Sequence, residues 1–415
     1  MAPLLQTTIV QSPSATPGKL PLAISLSEPV PTLPSSHHVL VRVLAVALNP
    51  NDHKMIEHFP LPGYGAGCDF CGVVSQQPDN PKVNLPKVGT RVCGTVFPYA
   101  AADDYNRHRR TGAFSEWVVA DARLLVQVPD HWDDLRGAAF GGVGWSTVAL
   151  AMSHPNYLAL SGLPSSPAET MLPVLVYGGG TATGTMACQL LKLYVQRLSL
   201  LINAGRVIGL HRRKRRFLTR VDPTRSGYAP IAVVHSTASE ALALQYGAVG
   251  TVLYTSSTDT AQSNQHADAI RDVANGQPIR HALDCITDLD SAALCFAVIA
   301  RTGGRYVCLE QFRSEWHTRR VVSVKEVMGY EILGYRVDLG ATESVYSRQP
   351  SEEASDIGRR WAAEVQELVS RGLIEPHPIQ EVPGKWGGIL TGLTMLQSGK
   401  VRGRKLVVQL SSKDD

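Results

Sequence analysis

Apolar and polar positions follow two different rhythms along the chain. Val39 to Val46 is almost continuously apolar or β-branched, and Gly67 to Val74 and Thr90 to Phe97 repeat that character between Gly, Pro and Asn residues. Short β-branched runs bounded by turn residues predict strands, so the amino-terminal part reads as β-rich. Past Pro129 the spacing lengthens, and Asp133 to Ala139 and Trp145 to Met152 carry helical patterns. A turn-rich stretch, Ser161 to Ala168, precedes a buried-type strand, Pro173 to Tyr177. Gly178-Gly-Gly-Thr-Ala-Thr-Gly184 follows, then an apolar helix from Thr185 to about Tyr194. Strand, glycine turn and helix in that order open a dinucleotide-binding βαβ unit. The spacing Gly178-x-Gly180-x-x-x-Gly184 departs from G-x-G-x-x-G, so the flanking strand and helix carry more weight than the glycines.

Further strands are predicted at Pro230 to Val234, Gly250 to Tyr254, His281 to Cys285 and Gly304 to Leu309. Helical stretches lie between them at Ser239 to Tyr246, Ala267 to Ala274 and Ser291 to Ala300. That alternation predicts a parallel, doubly wound sheet. A helix around Trp361 to Arg371 and a last strand, Lys405 to Leu410, complete the pattern, the strand returning to the first domain. The expected class is α/β. A β-rich domain is built from residues 1–150 and 336–415, with a nucleotide-binding domain, 151–335, inserted between them.

One segment breaks the rhythm. A helix-to-strand connection is usually about two to six residues, yet more than thirty separate Tyr194 from the next strand. Residues 195–226 therefore read as an insertion. They carry nine Lys or Arg against one acid, and without them the net charge of +4 becomes −4. Their run His211-Arg-Arg-Lys-Arg-Arg216 is a basic docking arm, a nuclear-localisation-like run or translated intron sequence. Nothing outside the block suggests a nucleic-acid footprint. The composition, 44% hydrophobic and 18% charged, excludes disordered, collagenous and coiled-coil classes. No apolar run is long enough to span a bilayer and the start has no leader pattern, which predicts a cytoplasmic protein. Seven scattered cysteines suggest core thiols rather than a disulfide framework.

Several longer motifs stand out: Leu48-Asn-Pro-Asn-Asp-His-Lys54, Gly67-Cys-Asp-Phe-Cys-Gly-Val-Val74, Gly112-Ala-Phe-Ser-Glu-Trp117, Val176-Tyr-Gly-Gly-Gly-Thr-Ala-Thr-Gly184, Gln245-Tyr-Gly-Ala248, Leu283-Asp-Cys-Ile286 and Gly399-Lys-Val-Arg-Gly403. On these residues the sequence resembles the medium-chain dehydrogenase/reductase superfamily, and within it the trans-acting enoyl reductases of fungal polyketide synthases. The resemblance implies a GroES-like β-rich domain joined to a Rossmann domain. It implies a monomer that uses NADPH to reduce α,β-unsaturated thioesters on the carrier domain of a partner polyketide synthase, or of a synthase–peptide synthetase hybrid. A stand-alone quinone or enone reductase, and an inactive docking protein, are the alternatives.

The cofactor assignments combine the resemblance with charge. Gly180, Thr181, Ala182 and Thr183 would hold the pyrophosphate, Tyr254 would flank the adenine, and Val401 and Arg402 would close the nicotinamide side. Asn51, Asp52, His53 and Lys54 would complete the cofactor contacts. After the second strand, Ser236, Thr237, Ala238 and Ser239 offer hydroxyls and no immediate acid, which favours NADPH over NADH. Ser236 and Ser239 could equally cap the helix that follows.

Lys54 is the candidate catalytic residue, to orient the ribose or thioester carbonyl or to supply a proton; otherwise it is a solvated loop lysine. Phe140, Gly141, Gly142, Val143, Gly144, Trp145, Ser146 and Thr147 could line an acyl channel or simply pack helices closely. Val322, Ser323, Val324, Lys325 and Glu326 match a second substrate wall more loosely. No metal is expected. Zinc-dependent relatives place a Cys and a Gly-His-Glu where this chain has Asn49 and Gly67-Cys68-Asp69, and only Cys93 lies where a structural cysteine lobe would sit.

Overall fold

The computed structural model describes residues 5–14, 18–81, 84–99, 112–166, 171–193, 227–255, 260–340 and 344–411. The segment 195–226 lies outside them. The chain divides into two compact units, residues 1–147 with 328–415, and residues 148–327.

The first unit begins with β1 (Leu5–Gln11) and β2 (Leu22–Pro29), an antiparallel pair in the stretch that carries no strand signal in the sequence. β1 is anchored where Ile9, fully buried, donates its amide to the Phe114 carbonyl at 2.8 Å. Next come β3 (His38–Ala47), α1 (Pro50–His58), β4 (Asp69–Gln76), β5 (Arg91–Thr95), β6 (Trp117–Asp121), β7 (Val126–Gln127), α2 (Asp134–Phe140) and α3 (Val143–Ser153), which runs across the division.

The second unit contains β8 (Leu172–Tyr177), α4 (Ala182–Leu193), β9 (Tyr228–Val234), α5 (Thr237–Gln245), β10 (Gly250–Leu253), α6 (Thr260–Val273), β11 (His281–Asp284), α7 (Leu289–Val298), β12 (Gly304–Cys308) and β13 (Val322–Glu326). Its strands run parallel in the order β10-β9-β8-β11-β12-β13. Every residue of β9 is buried, as expected for a strand covered on both faces. The order reverses direction between β8 and β11, and ligands of such sheets bind beyond the carboxyl ends of the strands at that point.

The chain then returns to the first unit through α8 (Glu352–Ser370), β14 (Ile379–Glu381), α9 (Lys385–Gln397) and β15 (Lys405–Gln409). α8 buries Ile357, Trp361, Val365 and Leu368, the three-to-four spacing of an amphipathic face. β15 pairs antiparallel with β3, giving a sheet of order β14-β15-β3-β4-β5-β7 with β6 also on β3. Val43, Val46, Phe70, Val92, Leu406 and Val408 fill its core. Among the described residues no helix is long and apolar enough to cross a membrane, and the seven cysteines are unpaired.

At the centre of this sheet Lys405 and Asp69 form an ion pair at 3.1 Å, with 7% and 0% exposure. Asp69 also accepts from the amides of Gly142 (2.8 Å) and Val143 (2.9 Å) and from the Asn49 side-chain amide (2.9 Å). Lys405 donates to the Asn49 side-chain oxygen as well. Removing one partner of a buried pair strands the other charge, at a cost of about 3–5 kcal/mol. Lys405→Ala should therefore lower the unfolding free energy by roughly that amount in urea titrations. A loss below about 1 kcal/mol, the range of exposed pairs, would show that solvent reaches Asp69.

Candidate nucleotide site and polar helix start

The glycine turn follows β8 directly. Gly178 has φ +78°, a left-handed conformation suited to glycine, and the amides of Gly178 and Gly179 donate to the Val233 carbonyl at 3.0 and 3.1 Å, fastening the turn to β9. Thr181 caps α4: its hydroxyl donates to the Gly178 carbonyl (2.8 Å) and accepts from the Gly184 amide (3.0 Å). That cap starts the helix at Ala182, three residues before the predicted Thr185. A Cβ on Gly179 would come within 2.5 Å of the Ala232 Cβ, and one on Gly180 within 2.5 Å of the Ser239 Cβ. The turn is thus a backbone cradle without room for side chains. With a helix amino terminus and its partial positive charge behind it, the cradle fits a pyrophosphate.

Ser236, two residues past β9, caps α5, accepting from the Ser239 amide at 3.1 Å and donating to the Ser239 hydroxyl at 3.0 Å. The nearest acid in sequence, Glu240, accepts from the Thr251 hydroxyl at 2.7 Å. The exposed corner therefore presents Ser236, Thr237 and Ala238, with hydroxyls on the first two. Tyr254 is 4% exposed and packs edge-to-face with His235, their centroids 5.5 Å apart. His235 is the exposed ring of that cluster, which the sequence reading did not single out.

Across the reversal point, Asp284 organises the loop after β11. One carboxylate oxygen accepts from the amides of Ile286 (2.9 Å) and Thr287 (3.0 Å), the other from the hydroxyls of Ser291 (2.5 Å) and Tyr306 (2.7 Å). Thr287 is held at φ +65°, rare for a β-branched residue, and its hydroxyl accepts from the amides of Leu309 and Glu310. One buried acid thus fixes the ends of both β11 and β12. Local sequence carries no signal for the strained Thr287.

In the first unit, the stretch Asn49 to Lys54, polar in sequence, is the start of α1. The Asn49 amide donates to Asp52 Oδ2 at 2.7 Å. Asn51 Nδ2 donates to the Tyr330 hydroxyl at 2.8 Å and lies 3.5 Å from Cys68 Sγ. His53 is buried against Glu57, 3.2 Å away, and Lys54 is half-buried on the first turn. Tyr330 is a site-forming residue that sequence reasoning missed. It lies far along the chain and packs on Phe97 with centroids 4.8 Å apart.

This donor set does not suit zinc. Asp69 is saturated by Lys405, Asn49 and two amides, and burial pushes the Cys68 thiol well above its ordinary range, opposing the thiolate a metal needs.

Residues 35–130 match the alcohol dehydrogenase GroES-like domain. The trans-enoyl reductase calK of Penicillium decumbens is 46% identical, the alignment covering 99% of both chains. The trans-enoyl reductase sthE of Phaeosphaeria nodorum is 43% identical over 98% of both. The chain belongs to the trans-enoyl reductase family. A solved structure, that of CurK enoyl reductase, shares the fold with a TM-score of 0.61 at 15% identity, covering 98% of this chain and 99% of that one. As a trans-enoyl reductase the chain is an oxidoreductase of the medium-chain dehydrogenase/reductase superfamily, with a GroES-like β-rich domain and a doubly wound Rossmann domain.

The remaining candidates of this trans-enoyl reductase fall in different settings. Gly141 (φ +48°) turns the chain between α2 and α3, and Phe140, Trp145 and Ser146 are buried. A Cβ on Gly144 would meet nothing within 4 Å, so this position faces open space. Val322 to Glu326 form β13 at the outer edge of the parallel sheet. Val401 is half-buried and Arg402 exposed.

Asp52 is fully buried, and desolvation pushes its pKa up to about 7 against the opposing hydrogen bonds from Cys68 and the Asn49 amide. An acid whose folded pKa is raised binds its proton more tightly when folded. Its stabilising contribution is complete below the ordinary carboxylate value near 4 and is lost as pH rises through about 7. Asp52→Asn removes the titration. Between pH 5 and pH 8 the wild type should lose roughly 1–3 kcal/mol more unfolding free energy than the variant. Urea unfolding at the two pH values measures this; parallel losses in both proteins would place the titration elsewhere.

Proposed function

We propose that this protein uses NADPH to reduce the α,β-double bond of an enoyl thioester carried by a partner polyketide synthase. The observation that carries the cofactor reading is the corner after β9. Hydroxyls of Ser236 and Thr237 are exposed at the start of α5, while Glu240 is turned to Thr251. A carboxylate at this corner would repel a 2′-phosphate, whereas hydroxyls at a helix amino terminus attract it. The relatives named trans-enoyl reductases support the substrate reading.

When bound, NADPH supplies the hydride. The backbone of Gly180, Thr181, Ala182 and Thr183 would hold the pyrophosphate, where Gly179 and Gly180 leave no room for a side chain. His235 and Tyr254 would offer the adenine an aromatic edge, and Val401 and Arg402 would close the nicotinamide side, as the resemblance implies. Asn51 is fixed by Tyr330, and Asp52 and His53 fix the turn that presents Lys54. The Lys54 ammonium donates a hydrogen bond to the developing enolate oxygen, or a proton at the α-carbon. Such charge stabilisation needs no metal. Gly144 leaves width for an acyl chain beside Val143 and Thr147.

Incubation with the partner synthase and NADPH should add two mass units to the carrier-bound product, and NADH should be at least roughly tenfold poorer in kcat/KM. Equal use of both cofactors would overturn the phosphate reading; a free enone reduced while carrier-bound and pantetheine thioesters are untouched would overturn the substrate reading. Lys54→Ala should lower turnover of an enoyl thioester by roughly ten- to a thousandfold with the fold intact by circular dichroism. Wild-type turnover would return Lys54 to the solvated surface.

A further inference from the structure

We propose that the cavity at the amino ends of β11, β12 and β13 is a second anion site, taking a phosphate or pyrophosphate group. It lies at the end of the strands opposite the glycine turn, which follows the carboxyl end of β8. Strand register builds it. His281 pairs with Arg305, and Arg305 with Ser323. Registered positions on neighbouring parallel strands share a face, and Lys325, two residues on, shares it too. Arg280 enters just before β11. The cavity measures about 560 Å³ and is completed by Asn156 and Thr302, a size within the range of small-molecule sites.

Charge decides what fits. No carboxylate lines the cavity, and among the described residues Arg280, Arg305 and Lys325 have no acidic partner. Arg305 is held by the carbonyls of Pro155 and Tyr157, each at 2.7 Å, which fix its guanidinium without neutralising it. Burial, then the nearby Arg305 and Arg280, push His281 down to about pKa 4, so at pH 7 it is a neutral hydrogen-bonding group beside the three cations. Two guanidinium forks and an ammonium match the geometry and charge of a pyrophosphate better than a single carboxylate. A concave site of this size suits a small phosphorylated group rather than a protein face. That group would come either from a free metabolite or from a phosphopantetheine-bearing molecule.

The test is calorimetric titration of the full chain, held in saturating NADPH to fill the glycine turn, with inorganic pyrophosphate in one arm and coenzyme A in the other. One site per chain is expected. Arg280→Ala should weaken pyrophosphate at least threefold, and Arg280→Ala with Lys325→Ala at least tenfold. Coenzyme A binding at least tenfold tighter than pyrophosphate would identify the phosphopantetheine source; equal or weaker binding would identify a free phosphate. Absence of saturable binding in both arms, or binding unchanged in the double variant, would overturn the proposal.

Discussion

The buried pair of Lys405 and Asp69 is the constraint on which the first unit depends. It joins four distant parts of the chain: the amino end of α1 through Asn49, the start of β4, the turn between α2 and α3, and the last strand. Both carboxylate oxygens accept hydrogen bonds and the ammonium has two acceptors, the kind of pairing that makes a buried charge tolerable. Apolar packing around Phe70 and Val408 could hold the strands together without it. Packing alone would leave the turn at Gly141 and the start of α1 to find their own positions. The pair fixes both, so the direction in which α1 presents Lys54 follows from an interaction 15 residues away in sequence at Asp69 and at the far end of the chain at Lys405.

The second unit uses the same device at another place. Asp284 receives four hydrogen bonds and so sets the loops after β11 and β12, while Thr181 and Ser236 set those after β8 and β9. All four loops leave the carboxyl ends of parallel strands, and each is tied down by hydrogen bonds to a polar side chain. A doubly wound sheet supplies the rigid platform, and short polar side chains shape what sits on it. The strands are thus held by apolar packing, to which the loops add hydrogen bonds to single oxygen atoms.

What the sequence discloses follows the same division. Buried parallel strands such as Tyr228–Val234 are visible as continuous apolar runs, and the glycine turn is visible because its backbone path excludes side chains. The last strand is legible for the same apolar reason, although nothing in Lys405 itself announces that its ammonium is buried. α1 was hidden because its inward groups are polar: Asn49, Asp52 and His53 read as solvent-facing until their partners are known. β1 was hidden for the same reason, since it buries Gln6, Thr8 and Gln11, and β2 for the opposite one. Much of β2 is exposed, so no alternation marks it. Tyr330 and Thr287 act through contacts remote in sequence, and no local pattern encodes either.

The polar character of α1 also bears on the expectation that no metal is held here. In the zinc-dependent pattern the positions of Asn49, Cys68 and Asp69 would carry ligands, and a metal would draw α1 and β4 together. In this chain hydrogen bonds tie the same elements: Asn49 bridges Asp69 and Lys405, and Asn51 bridges Cys68 and Tyr330. A cation is still present at the junction, but it is an ammonium tethered to β15 and already neutralised by Asp69. It therefore cannot polarise a substrate carbonyl as a zinc ion with an open coordination position would. Charge developing on the substrate would then call for another cationic or donor group, the role proposed above for Lys54, which sits on the helix turn that the network holds in place.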